Sequence, residues 1–142
     1  MRLNPFGKQS RARYTPPSDR AGAAFENLDM FLDAALAWVE PSLLRTRLPR
    51  TGTRLFFVGA VNALSLRYRL GAAGIEALAE KALLRVGFTA DELRERPERK
   101  TDEPAVADAM AEGRETMENW LDGDIDAPMR LAQLVREWKR RP

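Results

Sequence analysis

Apolar residues recur every three or four positions along most of the chain, and this spacing is typical of one face of an α-helix. The first such stretch lies between Ser18, a residue type favoured at helix N-caps, and Pro41, a residue type that interrupts helices. Its apolar face consists of Phe25, Leu28, Leu32, Ala35, Leu36 and Val39. The pattern therefore predicts a long amphipathic helix in this part of the chain.

Residues 55–66 form the most apolar stretch, with twelve consecutive positions that carry no charge. A helix of twelve residues is about 18 Å long, whereas the hydrocarbon core of a bilayer is about 30 Å thick. The stretch is therefore too short to span a membrane. We predict instead that residues 54–70 form the central, largely buried helix of a bundle. Gly59 and Ala63, four positions apart, would let a neighbouring helix approach closely.

The second half of the chain contains further helical patterns, separated by stop and start signals. One helix is expected to end at Gly87, because glycine is typical just after a helix. Thr89 and Glu92 form a capping-box pattern at the start of a short charged helix. A longer helix is expected to end at Gly123, and a last helix to begin with Asp126 as its N-cap. The expected inward positions of the longer helix are Val106, Met110, Gly113, Met117, Trp120 and Leu121.

Together these elements predict an all-α protein, a single-domain bundle of five or six helices around the central apolar helix at about residues 54–70. No stretch shows the sustained alternation of apolar and polar residues that a half-buried strand requires. Residues 18–142 are expected to form the helical domain. Residues 1–17 are expected to be a flexible basic tail, because prolines interrupt any helical pattern there.

The chain has no cysteine and no histidine, which narrows the chemistry available to it. Disulfides, thiolate nucleophiles, imidazole bases and zinc sites built from these residues are excluded. Glycine-rich phosphate loops and nucleophile elbows are also missing from the sequence. We therefore expect a protein that is not an enzyme and that has no catalytic residue and no cofactor. A soluble protein in the cytoplasm is the expectation for location, which the lack of cysteine permits.

Acidic residues at Asp122, Asp124 and Asp126 alternate as they do in calcium-binding loops. The calcium pattern requires a glycine where Ala127 stands and a bidentate glutamate where Gln133 stands. The segment is therefore interpreted as a tight connection between two helices, and no metal ion is expected.

Charge is unevenly distributed, although the formal net charge is only +2. Residues 41–70 contain six arginines and no acidic residue, whereas residues 101–126 contain nine acidic residues and one arginine. Guanidinium groups bind phosphates and carboxylates in bidentate geometry, so these arginines are candidate contacts for a polyanion or a protein partner. They are Arg45, Arg47, Arg50, Arg54, Arg67 and Arg69. The alternative is that they pair internally with the acidic faces of neighbouring helices.

Six large side chains are candidates for the lining of an apolar pocket between the helices. They are Phe56, Phe57, Tyr68, Met110, Met117 and Trp120. Ordinary packing in the core is the alternative interpretation of the same residues.

The leading hypothesis for function is a non-enzymatic helical module that acts through protein–protein contacts and can form homo-oligomers through its complementary charged segments. One alternative is binding of nucleic acid or another polyanion by the basic tail and the arginines from Arg45 to Arg69. A further alternative is a small-ligand binder or enzyme that uses the apolar pocket. No transmembrane segment is expected.

Overall fold

The computed structural model describes residues 17–94 and 104–141. The predicted basic tail therefore lies outside the described residues, apart from Pro17, which is the first residue of a helix. None of the helices in the described ranges is both long enough and apolar enough to cross a bilayer.

The described residues contain six α-helices and no strand, which confirms the predicted all-α bundle. Short 3₁₀ helices precede two of them, at Pro41–Arg45 and at Pro104–Val106. The α-helices are α1 (Pro17–Leu36), α2 (Arg47–Tyr68), α3 (Ala72–Val86), α4 (Ala90–Arg94), α5 (Ala109–Leu121) and α6 (Met129–Arg140).

The predicted stop and start signals in the second half are mostly confirmed. Gly87 and Gly123 follow α3 and α5 with φ angles of 113° and 106°, a region that glycine enters without strain. At α4, the backbone N–H of Glu92 donates to the Thr89 hydroxyl and the Thr89 N–H donates to the Glu92 carboxylate, which is the predicted capping box. The prediction for Asp126 was wrong, because α6 begins at Met129 without a side-chain cap.

The central helix α2 begins at Arg47, earlier than the predicted start at residue 54. Pro49 lies in its first turn, where a missing N–H group breaks no helical hydrogen bond. The helix packs against α1, α3, α5 and α6, which confirms its central position. Residues 47–53 are therefore part of the helix and not of the connection that precedes it.

A cluster of aromatic rings fills the centre of the bundle. Phe31 of α1 lies 6.5 Å from Phe56 and 6.2 Å from Phe57 of α2, measured between ring centroids. The Trp120 ring of α5 lies 6.0 Å from Phe31 in an edge-to-face arrangement. Such offset and perpendicular contacts are the favoured geometries of aromatic pairs. The three phenylalanines are completely buried, so the aromatic cluster forms the hydrophobic core between α1, α2 and α5.

The closest helix contact joins α2 to α5 through two glycines. A Cβ atom added at Gly59 would lie 1.9 Å from the carbonyl oxygen of Met110, and one added at Gly113 would lie 1.8 Å from that of Phe56. Each glycine therefore packs directly on the backbone of the other helix. This confirms the expected close approach at Gly59, and it identifies Gly113 as the matching residue on the partner helix.

Contacts at the helix ends fix the directions of the helices. Arg67 near the end of α2 pairs with Asp122 just after α5, so α2 and α5 run in the same direction. Asp33 of α1 pairs with Arg85 of α3, and Asp29 lies 3.0 Å from Lys81, so α1 and α3 also run parallel to each other. The helix α6 runs back along the bundle and returns its C-terminus to the start of α2.

Candidate functional site

The six arginines proposed as one cluster are divided between the two ends of α2. This helix has 22 residues, which corresponds to a length of about 33 Å. Arg45, Arg47, Arg50 and Arg54 lie at its beginning, and Arg67 and Arg69 lie at its end. The helix predicted at residues 54–70 already implies this separation, which grouping the six arginines by their proximity along the chain overlooked. A single contact surface therefore does not include all six.

Arg50 forms a network of hydrogen bonds with other residues of the protein at the start of α2. Its Nη2 atom donates to both carboxylate oxygens of Glu92, at 2.7 and 2.8 Å, and its Nη1 atom donates to the Leu44 carbonyl oxygen at 3.2 Å. The guanidinium also lies 4.2 Å from the centre of the Phe88 ring. These contacts join the first 3₁₀ helix, α2 and α4, so Arg50 has a structural role.

The same network changes the ionisation of Glu92. The pKa of its carboxyl group is lowered from 4.5 to about 2, first by the hydrogen bonds from Arg50 and then by the backbone N–H of Thr89. A similar pair joins α5 to α6, where Arg130 donates to both oxygens of Glu112 and lowers the pKa of that carboxyl group. Internal pairing was the alternative interpretation of the six arginines, and Arg50 is paired internally, with Glu92 of α4.

The remaining arginines of the proposed cluster differ in their surroundings. Arg67 donates to Asp122 at 3.0 Å, and the guanidinium of Arg54 lies 5.6 Å from the Phe88 ring centre. Arg69 ends α2 in the left-handed region with φ 57°, and its side chain is exposed. Arg45 and Arg47 are exposed at the opposite end of the helix.

The structure brings a second set of basic residues to Arg45 and Arg47. A Cβ atom added at Gly52 would lie 2.6 Å from ring atoms of Trp138 in α6. The C-terminus of α6 therefore packs on the first turns of α2. The helix α6 also contacts the first 3₁₀ helix. We call the resulting surface the basic end; its exposed residues are Arg45, Arg47, Lys139, Arg140 and Arg141.

Sequence reasoning missed the basic end because its two halves are far apart in the chain. The only local signals were an inward-facing Trp138 and a glycine at position 52, and neither identifies the other as its partner. An acidic residue accompanies the cations, because Glu40 directly precedes the first 3₁₀ helix. Glu40 is exposed, so the surface combines a basic majority with an acidic group.

A groove of about 490 Å³ opens beside Arg45. Its apolar wall includes Leu44 and Val86, both of which are 8% exposed, and Pro41. Arg45 and Arg50 supply its guanidinium groups, and Gly87 supplies backbone. The groove therefore combines apolar surface with positive charge at the basic end.

The six residues proposed to line an apolar pocket occupy different environments. Phe56, Phe57 and Met117 are completely buried in the core. Tyr68 is half-buried, and its hydroxyl oxygen accepts a hydrogen bond of 2.6 Å from Nδ2 of Asn27. Met110 and Trp120 are half-buried and pack against the core. The Nε1 atom of Trp120 is buried without a hydrogen-bond partner among the described residues.

The acidic connection between α5 and α6 is organised by hydrogen bonds. Asp122 accepts from Arg67, and Oδ1 of Asp124 accepts from the backbone N–H of Asp126 at 3.0 Å. Within the ranges that the structure describes, no three acidic side chains come together in a way that could hold a metal ion.

A comparison with models of protein families, with curated proteins and with solved structures finds no match to this chain.

Proposed function

We propose that this chain is a non-enzymatic helical module that binds a protein partner through its basic end. The observation that carries the proposal is the meeting of two distant chain segments, one with Arg45 and Arg47 and the other with Lys139, Arg140 and Arg141, at one exposed surface. A partner with an acidic surface fits this charge, and electrostatic complementarity gives such a contact both speed and specificity.

The apolar groove favours a protein as the partner. Protein interfaces combine an apolar anchor with a polar rim, and arginine is enriched among the residues that dominate their binding energy. Pro41, Leu44 and Val86 offer the apolar surface, and Arg45 lies beside them.

Binding of nucleic acid or another polyanion is the second candidate function, and it uses the same cations. It is favoured by the predominance of arginine at the basic end, since arginine contacts phosphate in bidentate geometry. The two candidates differ in their response to salt. Affinity for a nucleic acid falls steeply and linearly on a logarithmic salt scale, with a slope set by the number of phosphates contacted.

The experiment compares two double variants of equal charge. Arg45→Glu with Arg140→Glu reverses two charges at the basic end. Arg69→Glu with Arg114→Glu reverses two exposed charges elsewhere and is the matched control. Each tagged protein is used to capture partners from cells of the source organism, with and without nuclease, and circular dichroism checks that the fold is retained.

We expect the wild type and the control to capture the same protein, and the basic-end variant to lose it. Equal capture by all three proteins would contradict the proposal. Capture that disappears after nuclease, together with direct binding of the wild type to a mixed DNA and RNA pool at low salt, would favour the second candidate.

A further inference from the structure

The connection between α5 and α6 exposes a large apolar side chain between two carboxylates. Ile125 is 75% exposed. Its neighbours Asp124 and Asp126 are exposed as well, and neither forms an ion pair within the described residues. We call these three residues the acidic tip. It combines an apolar anchor with negative charge, which is the complement of the groove beside Arg45 at the basic end.

Hydrogen bonds fix the shape of the acidic tip. The backbone N–H of Ala127 donates to the carbonyl oxygen of Asp124 at 3.2 Å, and the N–H of Asp126 donates to Oδ1 of Asp124 at 3.0 Å. Ile125 and Asp126 are therefore the two central residues of a hydrogen-bonded turn. A segment that is already held in one conformation loses little entropy when it binds. The tip is thus presented to solvent in a form suited to a contact.

The acidic tip and the groove lie at opposite ends of the bundle. Asp122 contacts Arg67 near the end of α2, and Ile125 is three residues further along the chain, at most about 11 Å away. The groove lies at the start of α2, a helix about 33 Å long. The tip therefore does not reach the groove of its own chain, although both are present on every copy.

We propose that the acidic tip of one copy binds in the groove beside Arg45 of a second copy. This inference rests on the proposed function, and it names the partner of the basic end as the same chain. Ile125 packs against the apolar wall that contains Leu44 and Val86. The apolar side chain and the apolar wall are both removed from water by this contact, which is the main favourable contribution to most protein association.

The charges of the two surfaces complement each other. Arg45 lines the groove, is exposed, and forms no ion pair within the described residues. Asp124 and Asp126 directly flank Ile125, so insertion of Ile125 brings their carboxylates to the basic end. Hydrogen bonds between a guanidinium and a carboxylate are among the strong ones, and opposite charges also speed the encounter of the two surfaces.

The contact joins two different surfaces, so it is of the head-to-tail type. A pair of copies still has one unoccupied tip and one unoccupied groove, and further copies can add to it. Such contacts generate rings or open filaments. The tip has only three residues, far fewer than the roughly 20–30 residues that each side of a standard interface contributes. The association is therefore weak, and salt weakens it further because the charges are exposed.

Sedimentation equilibrium of the full chain at low salt tests the proposal. Between about 10 and 500 μM, a range suited to weak association, the average mass of the wild type should rise from that of a monomer to beyond that of a dimer. Ile125→Glu removes the anchor and Arg45→Glu reverses the charge beside the groove. Each should weaken the association by roughly tenfold or more. Met30→Glu is the control, because Met30 is 53% exposed on α1 and belongs to neither surface, and it should associate as the wild type does.

Mixing the two variants tests the head-to-tail arrangement. The Ile125→Glu protein keeps an intact groove, and the Arg45→Glu protein keeps an intact tip. An equal mixture should form pairs with the mass of a dimer and nothing larger, because the tip and the groove that remain unoccupied in such a pair are both defective. Circular dichroism checks that each variant, changed only at an exposed position, retains the fold.

The outcomes separate this inference from the proposed function. A wild type that stays monomeric throughout the range would overturn the second copy as the partner. The proposed function would still stand if the basic-end variant lost a different captured protein. Wild-type association of the Ile125→Glu protein would overturn the tip, and that of the Arg45→Glu protein would overturn the groove. A mixture without dimers would overturn the head-to-tail contact.

Discussion

The central helix α2 makes two very different contacts, one with α5 and one with α3. Against α5 the two backbones touch at Gly59 and Gly113, with no space for even a methyl group. Against α3 a groove of about 700 Å³ remains open, and part of its wall consists of Val58 and Leu83. The helix α5 is thus closely packed on α2, whereas α3 leaves open space along its contact with α2.

The two contacts depend on different kinds of interaction. Close approach of two backbones brings many atoms within van der Waals distance, each contributing little but together contributing much. Next to the contact with α3, Arg50 joins the start of α2 to Glu92 of α4 through a partly exposed charge pair. Exposed ion pairs contribute little to stability, because water and salt screen the charges. Mutations on the α5 side of α2 should therefore destabilise the protein more than mutations on the α3 side.

The largest effect is expected from alanine at the glycine contact. Gly113→Ala would set a methyl group 1.8 Å from the Phe56 carbonyl oxygen, and the rigid backbone there cannot move aside as a side chain can. We expect the free energy of unfolding to fall by about 4 kcal/mol or more, because strained overpacking exceeds the usual range of 1–3 kcal/mol. Urea denaturation followed by circular dichroism measures the loss, and Gly59→Ala should behave in the same way.

Gly22→Ala is the control for this prediction, since Gly22 is also in a helix but has nothing within 4 Å of its would-be Cβ atom. Alanine should stabilise the protein there by up to about 1 kcal/mol, because of its higher helix propensity. Changes of opposite sign in the free energy of unfolding at Gly113 and Gly22 would support the close contact between α2 and α5. A Gly113→Ala protein as stable as the wild type would show that the two helices are not in backbone contact.

A smaller effect is expected at Gly52, where the obstacle is a side chain. Gly52→Ala would meet Trp138 ring atoms at 2.6 Å, and this buried ring can shift only by disturbing its neighbours. We expect a loss of about 1–3 kcal/mol in the free energy of unfolding, measured by the same denaturation. Adding Trp138→Leu to Gly52→Ala should cost less than the sum of the two single changes. If the two losses in the free energy of unfolding were strictly additive, Gly52 and Trp138 would not be in contact.

The smallest effect is expected at the α3 side and depends on pH. The folded state lowers the pKa of Glu92 from 4.5 to about 2, so the ionised carboxylate stabilises the fold above pH 4.5 and this contribution is lost as the pH falls from 4.5 to 2. Glu92→Gln should therefore unfold at a lower urea concentration than the wild type at pH 7. The two midpoints should converge near pH 2. A difference that is constant with pH would contradict the pairing of Glu92 with Arg50.

Features that depend on local chemistry could be predicted from the sequence. The uncharged stretch at residues 55–66 indicated the central helix, because only a helix surrounded by others can be apolar on most of its surface. Gly87 and the Thr89–Glu92 pair were predictable because their hydrogen bonds join residues a few positions apart. The early start of α2 was not predicted, and the contact of α6 with Gly52 in this part of the helix is one that no local pattern indicates.

The candidate site was predicted less well for the same physical reason. The sequence indicated that arginines such as Arg45 and Arg47 were candidate contacts, but they were grouped with Arg67 and Arg69 although the predicted central helix separates the two sets. It also gave no sign that the end of α6 returns to the start of α2. Charge is visible in a sequence, whereas its position in space depends on contacts between distant segments.

The glycine contact between α2 and α5 also has a consequence for how the chain folds. Gly59 and Gly113 are separated in sequence by all of α3 and α4, so their contact closes a long loop and has a higher entropic cost than a contact between neighbouring helices. Neighbouring helices such as α2 and α3 meet after a short turn and avoid that penalty. High contact order slows folding. The tightest junction of the native bundle is therefore expected to be one of the last to form.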